Sequence, residues 1–256
     1  MNKYIGWGIL GVAIVAAIIV FTARDNKNKS APVAESNQAS DQGNFADQKS
    51  FNFNNPKKSA HYESNTPAHG AILAAASINV VLDFNFDLTA PSAIYITQDG
   101  KEYGTGNKII DANKLSMRRN FDQSAPDGLY KVSYNACWPD KSCHDGYFEF
   151  AIDRGLAANY QRLTNQNEVT VRMSQIKFQP KDIVISKGTK VTWINDDEVE
   201  HYVNTDSHPA HSYYPEQNSR ALKNGENYSL VFTQAGIYPY HCSAHADVMQ
   251  GNIIVE

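Results

Sequence analysis

From about Ala60 to its last residue the chain is a succession of short runs in which apolar and polar residues alternate, and that period of two calls for half-buried strands. Val80-Val81-Leu82-Asp83-Phe84-Asn85-Phe86, Ala93-Ile94-Tyr95-Ile96, Tyr130 to Tyr134 and Tyr147 to Ile152 form a first set. The pairs Asp99-Gly100, Asp127-Gly128 and Asp145-Gly146 mark turns between them. After a connector around Gly155 to Gln166 comes a second set: Val169 to Met173, Asp182 to Ser186, Lys190 to Ile194, Tyr228 to Thr233, Gly236 to His241 and Gly251 to Val255. No helix of consequence and no repeat between the two sets is visible. The expected fold is all-β, with two Greek-key β-sandwich domains at residues 60–154 and 167–256.

The N-terminal part is different in kind. Ile5 to Ala23 is apolar apart from Thr22, close to the roughly 20 residues of a spanning helix and longer than a signal-peptide core. Residues 1–24 are therefore expected to anchor the chain in a membrane, or to be a secretory signal if cleaved after Ala23. Either way the remainder is exported, to the periplasm or the cell exterior. Residues 25–59, rich in Asn, Gln, Ser, Asp and Lys, read as a flexible linker that cannot bury enough to fold.

A net charge of −4 with both signs mixed throughout offers no basic face, so nucleic acid is not an expected partner. Of three cysteines, Cys137 and Cys143 flank the short stretch Trp138-Pro139-Asp140-Lys141-Ser142, and Cys242 stands alone. The near pair can close as a disulfide in an oxidising compartment, the alternative being two reduced structural thiols. Cys242 is then left free to bind metal.

The segment Tyr240-His241-Cys242-Ser243-Ala244-His245-Ala246-Asp247-Val248-Met249-Gln250-Gly251 packs a Cys, a His and a Met into one loop between two strands. His201, in Asn195-Asp196-Asp197-Glu198-Val199-Glu200-His201, supplies a second imidazole. A thiolate, two imidazoles and a weak axial thioether are the ligands of a type 1 (blue) copper site, so His201, Cys242, His245 and Met249 are expected to hold one copper ion. Taken singly, each has an ordinary reading as a loop His, a buried thiol or a core Met; the combination favours the metal.

From about Val169 to Glu256 the chain resembles plastocyanin-type cupredoxins. The resemblance rests on Phe178-x-Pro180, Gly188-Thr189-x-Val191-Thr192-Trp193-x-Asn195, the Phe232 to Tyr238 strand pair and Gly251-Asn252-Ile253-Ile254-Val255. It implies the same four ligands and single-electron transfer. Two features depart from plastocyanins: the spacing of three residues between His245 and Met249, and Tyr202, which stands where an Asn often ties the two ligand loops together.

The earlier β block is similar to CopC-like copper-resistance domains through Ala60-His61-Tyr62-x-Ser64-x-Thr66-Pro67-Ala68-x-Gly70-Ala71 and the strands Gly128-x-Tyr130-x-Val132-x-Tyr134 and Gly146-Tyr147-Phe148-x-Phe150. That resemblance implies a possible second metal site at Asp140 and His144. The family's amino-terminal His has no counterpart, Ser59 standing in its place, so a structural or docking role is the favoured reading. His241, preceding Cys242 on an extended strand, should point away from the thiolate. His208 and His211, in Asp206-Ser207-His208-Pro209-Ala210-His211, could chelate a second metal ion but read more simply as part of a solvated loop.

The expected function is an exported, non-enzymatic electron carrier working between redox protein partners, with a monomeric head and the membrane reached through the N-terminal helix. The alternative is an extracytoplasmic copper carrier in copper homeostasis or resistance. The sequence has no His-x-His pair and no second Cys near Cys242 of the sort an oxidase-type centre would use.

Overall fold

Two β-rich domains and almost no helix make up the computed structural model, which describes residues 49–256. The expected membrane segment and most of the linker lie outside the described residues. Among the described residues no helix is long and apolar enough to cross a membrane.

The first domain runs β1 (Tyr62–Thr66), β2 (Ile72–Leu73), β3 (Asn79–Phe84), β4 (Ala93–Gln98), β5 (Lys101–Glu102), β6 (Gly104–Ile110), β7 (Ser116–Phe121), β8 (Gly128–Cys137) and β9 (Cys143–Ile152). These form a four-stranded sheet, β1-β3-β7-β6, and a five-stranded one, β2-β9-β8-β4-β5. Leu82, Met117 and Phe121 of one sheet and Ile96, Tyr130, Val132 and Phe150 of the other share one buried core. The long β8–β9 hairpin ends on the paired residues Cys137 and Cys143, and these form a disulfide.

The second domain adds β10 (Gln161–Arg162), β11 (Glu168–Met173), β12 (Phe178–Gln179), β13 (Asp182–Ile185), β14 (Lys190–Asn195), β15 (Asn204–Thr205), β16 (Asn227–Val231), β17 (Gly236–His241) and β18 (Gln250–Val255). Its sheets are β10-β13-β18-β17-β15 and β12-β11-β14-β16. The alternation is visible in β11, where Val169, Val171 and Met173 are buried and Glu168, Thr170 and Arg172 are exposed. Trp193 on β14 and Tyr240 on β17 meet edge to face at 5.6 Å in the middle of the core.

The expected flexible linker is partly tied down at its described end. Glu149 is a buried carboxylate and needs donors; it takes them from the backbone N–H and side-chain amide of Asn54, at 2.7 and 2.9 Å. Lys57 pairs with Tyr147 through both backbone hydrogen bonds and reaches Asp145 at 2.7 Å.

The two domains are joined by buried polar contacts rather than by a connector alone. The Tyr213 hydroxyl, fully buried, donates to the Ile237 carbonyl (2.7 Å), accepts from the Ile78 N–H (2.9 Å) and meets the Ser77 hydroxyl (2.9 Å). Asp83, also buried, accepts from Ser64 and Ser116 of the first domain and from Ser207 and Ser212 of the second, all at 2.6–2.8 Å. Ile78 and Val81 pack into the core of the second domain. Replacing Tyr213 by Phe removes the hydroxyl and strands a buried amide, which is expected to cost about 1–3 kcal/mol in urea unfolding of the whole chain.

Candidate metal centre

The end of β17, the start of β18 and the loop between them form a closed scaffold. The Cys242 N–H donates to the Met249 carbonyl at 2.9 Å, so the hairpin pairing continues past His241. Inside it the His245 N–H donates to Cys242 O (2.9 Å) and the Met249 N–H to His245 O (2.9 Å). This single turn carries a Cys, a His and a Met that sequence places within eight residues.

His201 is brought in from the opposite side. Its backbone pairs with Leu222 in both directions, at 3.0 and 2.8 Å. Asn195, fully buried at the end of β14, shapes the preceding loop: its amide donates to Val199 O and Leu222 O, and its oxygen accepts from the Asp197 N–H.

Cys242 Sγ lies 3.6 Å from Nδ1 of His201 and 3.6 Å from Nδ1 of His245, and the three ligand atoms all fall within 4.8 Å of one another. Cys242, His201 and Met249 are buried, and Met249 belongs to the same apolar cluster as Cys242; His245 alone is partly exposed. The sequence expectation for His201, Cys242 and His245 as neighbours thus has a definite geometry.

Two supporting contacts were not among the sequence expectations. Nε2 of His201 meets Asp197 Oδ2 at 2.9 Å, which leaves Nδ1 directed at the thiolate. Burial pushes the Asp197 carboxyl up, but the Ile176 N–H, the His201 ring and the Gln175 N–H outweigh it and hold the group below the usual range. Asp197 stands four residues before His201, a clue that was available in Asp196-Asp197. The second contact concerns Tyr202: its backbone N–H reaches Cys242 Sγ at 3.3 Å, and Asn204 ties the two loops by donating to the Ser243 hydroxyl at 2.7 Å.

His241 points away from the thiolate, as its place on the strand requires. The loop read as solvated folds over it. His208 Nδ1, His211 Nε2 and His241 Nε2 form a second convergent group. Burial, then the neighbouring His241 and His208, draws the His211 pKa down to about 4.

In the first domain Asp140 and His144 are exposed, and the Asp140 carboxylate accepts from the N–H and hydroxyl of Ser142 at the hairpin turn. His61 faces Asn85 Oδ1 at 3.0 Å and stacks on Phe86. Among the described residues, none of these three takes part in a group of three or more convergent His, Cys, Asp or Glu ligands.

Comparison with known proteins agrees with this layout. The family model for copper binding proteins of the plastocyanin/azurin family matches residues 165–256, and that for the CopC domain matches residues 62–153. Plastocyanin from Scenedesmus fuscus is 32% identical over 101 residues, covering 35% of this chain and all of that protein. The chain belongs to the plastocyanin/azurin family. Amicyanin from Paracoccus denitrificans is 32% identical over 90 residues, 34% of this chain; the match spans 65% of that amicyanin's length. A solved purple cupredoxin from Nitrosopumilus maritimus aligns at 27% identity over 34% of this chain and 99% of that one, with a TM-score of 0.31.

The cofactor of this family is copper, and the donor set fits it: a soft sulfur and two imidazole nitrogens converge in a site whose remaining wall is apolar. Replacing Asp197 by Ala frees the His201 ring to rotate, and a roughly 10–100-fold loss of copper affinity is expected in a chelator competition titration.

Proposed function

We propose that the chain is an extracytoplasmic electron carrier, not an enzyme, with one type 1 copper held by His201, Cys242, His245 and Met249. The observation that carries this reading is the convergence of the Cys242 sulfur with two imidazole nitrogens in a buried pocket beside Met249. Copper in such a site supplies a Cu(I)/Cu(II) couple whose coordination need change little between the two states. The protein's part is to hold the donors rigid. Asp197 fixes the His201 ring, the Tyr202 N–H steadies the thiolate, and the hairpin fixes Cys242, His245 and Met249 relative to one another.

The partly exposed His245 is the place where an electron would enter or leave, with Val248 three residues on presenting an apolar contact at 72% exposure. We assign residues 1–24 as the membrane anchor, or signal if cleaved, and 25–59 as the linker. Residues 60–154 are the CopC-like Greek-key sandwich and 167–256 the cupredoxin sandwich. The head would be a monomer serving redox proteins on the outer side of the membrane, and the Cys137–Cys143 disulfide suits that oxidising location.

A second reading, a copper carrier in copper homeostasis or resistance, is favoured by the CopC match at residues 62–153. Under it Asp140 and His144 would contribute to copper capture in the first domain.

Copper-loaded protein is expected to be intensely blue and reversibly reducible, and Cys242→Ser colourless. A colourless wild type holding copper would overturn the electron-carrier reading. Transfer of copper from the loaded chain to an apo-protein acceptor, abolished in His144→Ala, would favour the carrier.

A further inference from the structure

We propose that His208, His211 and His241 form a second metal site, separate from the copper pocket, that takes a divalent transition cation of imidazole preference, Zn(II) or Cu(II). The three inward-facing nitrogens are mutually equidistant: His208 Nδ1 to His211 Nε2 is 3.3 Å, His211 Nε2 to His241 Nε2 is 3.2 Å and His241 Nε2 to His208 Nδ1 is 3.3 Å. In a triangle of that side each corner lies about 1.9 Å from the centre (side divided by √3). A cation slightly above that plane would sit at about 2.0–2.1 Å from all three, the ordinary metal–imidazole distance.

The protonation pattern agrees. His241 Nδ1 faces the Asp206 carboxylate at 3.1 Å, so that nitrogen carries the proton and Nε2 presents its lone pair to the cluster. A carboxylate behind a ligating imidazole is the arrangement that fixes the ring and raises its basicity. A neutral imidazole presents one such lone pair when its proton sits on the other ring nitrogen, so all three rings can turn a donor atom to the common point.

The site is also preformed. Ser207 and Ser212, which bracket the two loop histidines, both donate to the buried Asp83 of the first domain. The His211 N–H donates to Ser207 O, and Asn218 holds His211 O at 2.9 Å. The Ser243 hydroxyl lies 3.1 Å from His211 Nε2, beside the site. His241 is buried, His211 partly so and His208 exposed, so a cation can enter from solvent and be held at depth. With three protein nitrogens the site would leave a position for water, as open zinc sites do.

The test is Zn(II) titration of the full-length, copper-loaded protein, with bound zinc counted after gel filtration and the blue band recorded throughout. The expected result is one retained zinc per wild-type chain with the blue band unchanged, and none in the His208→Ala/His211→Ala double variant, whose intact blue band shows that it is folded. His144→Ala should keep its zinc. The proposal is overturned if the blue wild type retains no zinc, if the double variant retains as much as wild type, or if His144→Ala loses it. Colour reports the first site and zinc the second, so failure of one is distinguishable from failure of the other.

Discussion

Strand β17 governs everything of functional interest in the second domain. It pairs with β18 along its whole length, from Gly236 opposite Val255 to His241 opposite Gln250, and the pairing carries on to Cys242 through its bond to Met249. On an extended strand consecutive side chains leave by opposite faces. His241 and Cys242 therefore part company by necessity: the sulfur enters the apolar core with Met249, and the imidazole meets the loop that carries His208 and His211. A one-residue slip in this register would exchange the two and destroy both clusters at once.

The surroundings of that strand are stiff for a reason that can be named. Tyr240 is locked by Trp193 and Phe178 on the core side, and β17 sits between β18 and the short β15. The first domain adds support. Its Ser77 bridges to Ile237 on β17, the Ala76 carbonyl accepts the Ile237 N–H, and Asp83 gathers hydroxyls from both domains. A buried carboxylate without donors would be very costly, so Asp83 and its four serines act as a unit. A CopC-like domain lacking a convergent ligand set among its described residues still has a physical task, which is to hold the loop at Asp206 to Ser212.

Much of this was legible from one-dimensional patterns. Alternation located β4, β11 and β14 to within a residue or two because each has one face against a core, and burial writes itself into the sequence at a period of two; β3 and β17 were placed as closely, although almost every residue of both is buried. Strands β6 and β7 escaped notice: Gly104 to Ile110 is mostly exposed, and Ser116 to Phe121 carries Arg118 and Arg119, whose guanidinium groups bind Asp111 and backbone carbonyls. Nothing in their composition resembles a half-buried strand, since their place comes from pairing, β7 with β3 and β6 with β7.

The ligand chemistry belongs to the sequence. A Cys, a His and a Met within one short loop, with a distant His, carry the affinity for a soft metal wherever the chain brings them together, because donor softness is a property of the side chains. So too does the pairing of Cys137 with Cys143, which six residues of separation make geometrically easy. What only the tertiary structure decided is which other groups converge. The Tyr202 N–H on the thiolate and the meeting of His208 and His211 with His241 join segments 30 to 40 residues apart, and Asp197, four residues before His201, is set behind that ring by the fold of their shared loop. Local sequence carries no record of such meetings, because they depend on how β15, β17 and the loops between them pack against one another and against the first domain.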